Sequence, residues 1–134
     1  MSAFGVVAHD PACADACPCG TGLTYAACCR PLHEGVAHAD SAVRLMRSRY
    51  SAYVVHDAAY LLRTWHPRTR PSELDASGGP AWQRLTVLET ADGRDSDSVG
   101  EVEFEAAHAD GVLHERSRFV KRAGRWVYVD GDVG

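Results

Sequence analysis

Four cysteines near the start of the chain are the residues with the clearest chemical meaning. Cys17 and Cys19 are separated by one residue, and after eight more residues the adjacent pair Cys28 and Cys29 follows. Zinc is bound by four soft ligands in a tetrahedron, and it lowers the pKa of thiols enough to hold them as thiolates. The spacing therefore predicts one Zn2+ ion bound by these four cysteines.

Short local structure is expected to bring the two cysteine pairs together. Pro18 and Gly20 favour a tight turn that points the first two thiols inward, and residues 24–27 can form one helical turn that presents the second pair. Four thiolates around a dication leave a charge of about −2, so we expect amide donors and a cation such as Arg30 nearby. Among the histidines, His33 is the one best placed to support a ligand.

The spacing alone leaves other roles for the cysteines open. Two disulfides or scattered free thiols are one alternative, although adjacent cysteines such as Cys28 and Cys29 bridge each other only with strain. An iron–sulfur cluster is another, although its usual cysteine spacings differ from this one. The fifth cysteine, Cys13, is expected to be a spare thiol, and its alternative role is to replace Cys17 as a ligand.

The composition of the chain changes after the cysteine-rich segment. All five cysteines and three of the six prolines lie in residues 1–35, which show no long hydrophobic periodicity. Such a segment cannot bury enough apolar surface to fold unaided and needs a cross-link such as a bound metal ion. We therefore divide the chain of 134 residues into a zinc knuckle at 1–35 and a second domain at 36–134.

Helical periodicity opens the second domain. Asp40 or Ser41 can cap a helix that continues to about Val54, with apolar residues at helical spacing. Asp57 can cap a second, shorter helix, and Pro67 stops it because the residue before a proline avoids helical geometry. Two helices are therefore expected ahead of any sheet.

Alternating patterns in the second half of the chain predict antiparallel strands. They begin near Leu85, and turn signals separate four strands, at 91–93, 109–111 and 123–124. In the strand at 99–108 the glutamates share one face, which we expect to face solvent. Helices followed by an antiparallel meander indicate an α+β fold.

The string from Cys17 to Cys29, CPCGTGLTYAACC, resembles the SEC-C motif, named for the C-terminal tail of the SecA translocation ATPase. The pattern of that family is Cys-Pro-Cys-Gly-Ser-Gly, a Tyr, and then Cys followed by His or Cys. Thr21 in place of serine is the one departure. The resemblance implies that all four cysteine positions bind zinc.

Further stretches extend the resemblance to nearly the whole chain. They are LMRSRYSAY at 45–53, TWHP at 64–67 and GRWVYVDG at 124–131. Together with the knuckle they are similar to the YchJ-like family, which joins a SEC-C knuckle to a domain of nuclear-transport-factor-2-like fold. The resemblance implies a cone-shaped domain of helices and a curved antiparallel sheet, and it implies no particular reaction.

Such a domain encloses a cavity, which some families use for catalysis and others fill. Glu115 shares a strand face with Leu113 and Phe119, and Arg49 lies on the apolar side of the first helix. One hypothesis makes Glu115 and His66 an acid–base pair, with Arg49 holding an anionic group. The other, which we favour, makes Arg49 and Glu115 a buried ion pair and His66 a helix cap.

Charge and hydropathy narrow the choice of partners and location. With 14 basic and 18 acidic residues the formal net charge is −4, which argues against nucleic acid as a partner, since it is bound by basic surfaces. No apolar run is long enough to span a membrane and no signal-peptide pattern opens the chain. We therefore expect no membrane contact and a cytoplasmic location, where reduced thiols favour metal binding.

These patterns predict a zinc-binding protein whose role is that of a non-enzymatic adaptor for a protein partner. The SecA tail supplies the analogy, because its knuckle docks a chaperone and the ribosome. The alternative is a small-molecule binder or enzyme that uses the cavity of the second domain. An open cavity lined by Arg49, His66 and Glu115 would favour the alternative, whereas a filled core would favour the adaptor.

Overall fold

The structure of the protein, a computed structural model, describes residues 15–134, so Cys13 lies outside it. The first half is helical, with a 3-10 helix Tyr25–Ala27 and the α-helices α1 Arg30–His33, α2 Ala42–Val54 and α3 Ala58–Arg63. A second 3-10 helix, Ala76–Gly78, precedes the strands β1 Trp82–Asp92, β2 Val99–His108, β3 Gly111–Arg122 and β4 Arg125–Val133. None of the described helices is long and apolar enough to cross a membrane.

The two longer helices begin where the sequence predicts. Ser41 caps α2 through its Oγ, which accepts a hydrogen bond from the amide of Arg44 at 3.1 Å. Asp57 caps α3 in the same way, its Oδ1 accepting from the amide of Tyr60 at 3.0 Å. Side-chain caps of this kind satisfy amides that have no partner within the helix, so these two residues set where each helix starts.

The four strands form one antiparallel sheet in the order β1-β2-β3-β4. Each strand therefore pairs with its neighbour in sequence, as a meander requires. Breaks in register interrupt β1 after Trp82 and Val87, and β4 at Val129, which is left unpaired between Tyr128 and Asp130. Such bulges bend strands and increase their twist, which fits a curved sheet. Strand β4 runs to Val133.

One face of the sheet is apolar and the other carries charge. Val102 and Phe119 are buried in the same cluster as residues of α2. Glu101 and Glu103 lie on the opposite face, where Arg116 forms ion pairs with them at 2.5 and 3.2 Å. The predicted α+β fold, with helices against a curved antiparallel sheet, is thus confirmed.

The knuckle is packed into the main core of the molecule. Its four cysteines belong to the same buried cluster as Leu45 and Tyr50 of α2. A second cluster joins Leu32 of α1 to Leu61 of α3. The boundary between 35 and 36 therefore separates two sequence motifs, and it stays a prediction as a division between folding units.

Candidate metal centre and cavity

Tight turns and a helical turn build the knuckle around its cysteines. The amide of Cys17 donates to the carbonyl of Leu23 at 2.8 Å, and the amide of Gly20 donates to the Cys17 carbonyl at 3.1 Å. Gly20 and Gly22 have φ angles of +85° and +89°, which glycine adopts without strain. Thr24 caps the 3-10 helix that follows, so the predicted helical turn is confirmed.

These turns place four sulfur atoms side by side. Cys17, Cys19, Cys28 and Cys29 are 4%, 0%, 1% and 0% exposed, and their Sγ atoms all lie within 4.8 Å of one another. The Sγ of Cys28 is 3.6 Å from that of Cys19 and 4.0 Å from that of Cys29. A tetrahedron with metal–sulfur bonds of about 2.3 Å has edges of about 3.8 Å. The cluster therefore has the size and the ligand chemistry to bind a metal ion.

The described cysteines are free thiols, at separations far above the roughly 2.05 Å of a disulfide bond. Because the thiols lie close together, their pKa values shift in opposite directions. Hydrogen bonds from Cys19 and Cys29 lower the pKa of Cys17, whereas the hydrogen bond to Cys17 raises the pKa of Cys19 and that of Cys29. Because a thiol must lose its proton to ligate a metal, metal binding at this cluster releases protons.

Helix α2 brings positive charge to the cluster. The guanidinium of Arg44 donates through Nη1 to the Sγ of Cys29 at 3.7 Å and through Nη2 to the carbonyl of Cys28. Burial lowers the pKa of Arg44, but the hydrogen bond to Cys29 and the charges of nearby thiolates outweigh burial and raise it. Arg30, the cation that the sequence suggested, forms an ion pair with Glu34 at 2.9 Å.

Two further residues of α2 extend the contact made by Arg44. Arg47 donates through Nη1 to the carbonyl of Cys19 at 2.6 Å. The hydroxyl oxygen of Ser51 lies 3.5 Å from the Sγ of Cys17. Positions 44, 47 and 51 follow the three-and-four spacing of one helix face. That spacing is the signal in the sequence by which these residues could have been found.

His33 links the knuckle to α2. Its Nε2–H donates to the carbonyl of Ser48 at 2.8 Å, and its Nδ1 accepts from the hydroxyl of Tyr25 at 2.5 Å. The ring packs against Tyr60 with a centroid separation of 4.6 Å. Burial lowers the pKa of His33, and the hydrogen bond to Ser48 offsets this only in part. The neutral imidazole thus supports the ligand segment from outside the sulfur cluster.

A cavity of about 250 Å³, here called the sheet cavity, lies between α2 and the sheet. Most of its wall is aromatic or aliphatic, with side chains that include Tyr50, Trp82, Phe104, Leu113 and Phe119. Two charged side chains, Arg49 and Glu115, also line it. An apolar pocket with a few converging polar groups is the usual form of a small-molecule site.

Arg49 is a buried cation with no carboxylate partner among the described residues. It is 6% exposed, and its Nη1 donates to the carbonyl of Leu61 and to the Oγ1 of Thr64, both at 2.8 Å. Its guanidinium carbon lies 4.9 Å from the ring centroid of Trp65 and 4.7 Å from that of Tyr128. Burial lowers the pKa of Arg49, and the two aromatic faces offset part of the cost of burying its charge.

Glu115 has hydrogen bonds of its own, and the predicted buried ion pair with Arg49 is wrong. Its Oε2 accepts from the hydroxyl of Ser117 at 2.6 Å and from that of Tyr128 at 3.2 Å. Gly131 on the facing strand leaves room for the carboxylate, because a Cβ at that position would collide with it. The two charges share one cavity without direct contact, since each is held by neutral partners.

His66 lies outside the wall of the sheet cavity, so the predicted acid–base pair with Glu115 is not assembled. The amide of His66 donates to the carbonyl of Tyr128 at 2.8 Å, and its Nδ1 accepts from the amide of Arg68 at 3.0 Å. Its neighbour Trp65 lines the cavity instead. His66 therefore caps the turn after α3, close to the structural role that we favoured from the sequence.

Two family models match the chain along the two parts described above. Residues 14–31 match the SEC-C motif, and residues 41–131 match the model described as YchJ, middle NTF2-like domain. This chain belongs to the YchJ family. The family resemblance that the sequence predicts is thereby confirmed, and the match places the sheet cavity in the NTF2-like part.

Relatives of the family are similar over most of their length. The UPF0225 protein of Streptomyces coelicolor is 53% identical over 116 residues, which cover 87% of this chain and 94% of the relative. The UPF0225 protein of Deinococcus radiodurans is 50% identical over 119 residues, covering 85% and 86%. A SEC-C motif containing protein from Rhodopseudomonas palustris, solved in solution, has a TM-score of 0.75 and 36% identity over 88% of this chain and 98% of its own.

Proposed function

We propose that the four cysteines hold one zinc ion and that its role is structural. All four ligands come from the chain, and all four are buried. A zinc site with four protein ligands is closed, whereas a catalytic site keeps one position for water or substrate. The ion would fix the two cysteine pairs against α2, where Arg44 and Arg47 offset the negative charge of the thiolates.

We further infer that this member of the YchJ family binds a small organic molecule in the sheet cavity. The observation that carries this inference is a pair of charges, the buried Arg49 and the half-buried Glu115, in a mostly apolar wall. A core that served only packing would not gain from two charges held apart, because each costs free energy to bury. The arrangement suits an amphipathic ligand with an apolar body and one ionic group.

Two simple probes test this function and identify the preferred charge. Benzoate can pair with Arg49, and benzamidine can pair with Glu115. Either probe, if bound in the sheet cavity, should shift the indole N–H resonance of Trp82, which lines its wall. We expect saturable binding of one probe, and the absence of any Trp82 shift with both probes would contradict the proposal.

A pair of adjacent substitutions provides the matched control. Leu113 lines the sheet cavity, whereas its neighbour Val112 is 58% exposed. Leu113→Trp should fill the cavity and abolish probe binding, and Val112→Trp should leave it unchanged. Equal effects of the two substitutions would show that the probe binds elsewhere.

The adaptor role expected from the sequence is a second candidate, favoured by exposed apolar residues beside the knuckle. Leu23 is 53% exposed and Val36 is 78% exposed, and burying such apolar side chains against a partner is favourable. Capture of a partner should then be lost on Leu23→Asp and retained on Val55→Asp, since Val55 at the end of α2 is 41% exposed. Capture that survives Leu23→Asp would contradict this role.

A further inference from the structure

A second concavity, here called the arginine cleft, lies between α3 and the hairpin that joins β3 and β4. Its volume is about 310 Å³, and its wall combines the segment at 35–39, the end of α3 and the hairpin between β3 and β4. Five side chains that carry or can carry positive charge line it, namely His38, Arg63, Arg70, Arg122 and Arg125. No acidic residue is found among its described lining residues.

We propose that the arginine cleft binds a small molecule that carries phosphate groups. Neither the metal centre nor the sheet cavity assigns a role to these arginines. Guanidinium groups bind phosphate oxygens through paired N–H donors, which gives both strength and geometry. The proposal is independent of the function proposed for the sheet cavity, because its charged residues are different.

The hairpin carries the first argument. Arg122 and Arg125 are paired directly across the strands β3 and β4, and like charges in that position destabilise a sheet. Neither side chain has an ion-pair partner among the residues that the structure describes. An anion bound between the two guanidinium groups would attract both of them and offset their mutual repulsion.

Farther along the same two strands the arrangement is the opposite. There Arg118 pairs with Asp130 at 2.6 Å and with Asp132 at 2.9 Å. Carboxylates of β4 thus pair with an arginine of β3 there, whereas no described carboxylate pairs with Arg122 or Arg125. The cationic cluster in the cleft therefore stands out within a chain whose formal net charge is −4.

The floor of the cleft carries the second argument. Trp126 is 3% exposed and lines the cleft together with Tyr60 and Trp65. Aromatic walls beside arginines suit a ligand with an apolar or planar part next to its phosphate. The cleft is a confined concavity rather than a long basic groove, so a small phosphate ester fits it better than a nucleic-acid strand.

Titration with inorganic pyrophosphate and with AMP, at constant ionic strength, tests the proposal. The indole N–H resonance of Trp126 reports on the cleft, and that of Trp82 reports on the sheet cavity. We expect a saturable shift of Trp126 with Trp82 unmoved, and tighter binding of AMP than of pyrophosphate if the aromatic floor is used. An unmoved Trp126 with both probes would overturn the proposal, and a single-stranded RNA that bound more tightly than AMP would overturn its small-molecule part.

Removing arginine charges inside and outside the cleft distinguishes a specific site from general electrostatic attraction of the anion. The double substitution Arg122→Gln with Arg125→Gln should weaken binding at least tenfold. Arg84→Gln, on the exposed surface of the far edge strand β1, should leave it unchanged. Equal weakening by Arg84→Gln would contradict the proposal.

Thermal melting gives a second readout that does not depend on the tryptophan resonances. Without phosphate, Arg125→Gln alone should raise Tm by about 1–4 °C, because it relieves the cross-strand repulsion. With pyrophosphate present, the native protein should gain more in Tm than this variant does. A variant that is less stable in both conditions would mean that Arg125 has a packing role, and the proposal would fail.

Discussion

At Arg49 a buried positive charge is balanced by aromatic rings and backbone, and not by the carboxylate that the sequence suggested. Its hydrogen bonds go to Leu61 and Thr64, and Trp65 and Tyr128 flank its guanidinium. Glu115 influences Arg49 only through space, since each has its own neutral partners. The energetic consequences of removing either residue should therefore be nearly separate.

We expect Arg49→Met to destabilise the protein by about 2–4 kcal/mol, because the Leu61 carbonyl loses a charged donor inside the core. Glu115→Gln should cost less, and the coupling between the two changes in a double-mutant cycle should stay below about 1 kcal/mol. Chemical denaturation of the four proteins gives these values. A coupling of about 3 kcal/mol or more would show that Arg49 and Glu115 form a direct ion pair after all.

His33 should make stability depend on pH in a defined direction. Burial lowers its pKa in the folded state, whereas in the unfolded chain it titrates near its ordinary value of about 6.5. The unfolded state therefore binds the proton first as pH falls. The stabilisation is fully present above about pH 6.5 and is lost as pH falls toward the folded-state pKa.

The test is the slope of unfolding free energy between pH 7 and pH 5. His33→Gln keeps a donor for the carbonyl of Ser48 but cannot titrate, so its slope should be shallower than that of the native protein. His38→Gln, at an exposed position, controls for the loss of a histidine. Parallel slopes for all three proteins would show that His33 does not couple stability to pH.

Among the elements, helix α2 is the one that contacts both the knuckle and the sheet cavity. One face contacts the knuckle through Arg44, Arg47 and Ser51. Another face presents Arg49 and Tyr53 to the sheet cavity. A shift of this helix would therefore move the cysteine cluster and the cavity together.

Arg44→Gln should weaken zinc retention by about 10–100-fold, the usual effect of losing a partner that supports a metal ligand. Its contact with the Sγ of Cys29 offsets the charge of the thiolates. Competition with a chelator measures the change, and Arg118→Gln, whose ion pairs are with Asp130 and Asp132 of β4, serves as a charge-matched control. If Arg44→Gln and the control variant released zinc at the same chelator concentration, this role for Arg44 would be contradicted.

Local signals in the sequence were enough to predict the two longer helices and the four strands, whereas the short helix α1 was not predicted. Caps at Ser41 and Asp57 mark the helix starts because a short polar side chain there satisfies free amides. The turn at 109–111 and the alternation around it mark the β2–β3 hairpin for an equally local reason. The four cysteines could be grouped because their ligand chemistry and spacing both lie within one short segment.

Contacts between distant segments could not be predicted in the same way. Arg44 and Arg30 are equally plausible partners for the thiolates until the packing of α2 on the knuckle is known. His66 and Trp65 are adjacent, and only the bridge between Trp65 and Tyr128 decides which of them lines the cavity. In the sequence, Arg122 and Arg125 look like ordinary solvated hairpin residues, because the wall opposite them comes from residues far away in the chain.

On the scale of the whole molecule, the knuckle and the sheet domain share one core. The cysteines pack with Leu45 and Tyr50 of α2, and His33 ties the knuckle to the backbone of the same helix. Loss of the metal should therefore lower the stability of the entire protein and not only that of the N-terminal segment. In thermal unfolding we expect a single transition that moves to lower temperature on chelation.

The metal content of protein purified without added metal tests the account most directly. Elemental analysis should find one zinc ion per chain, retained in Cys13→Ser and lost in Cys28→Ser, because three thiolates leave the tetrahedron open. In Cys28→Ser the amides of the knuckle should also exchange faster with solvent. A metal-free native protein whose knuckle stays ordered, or equal metal loss from both substitutions, would contradict the four-cysteine zinc centre.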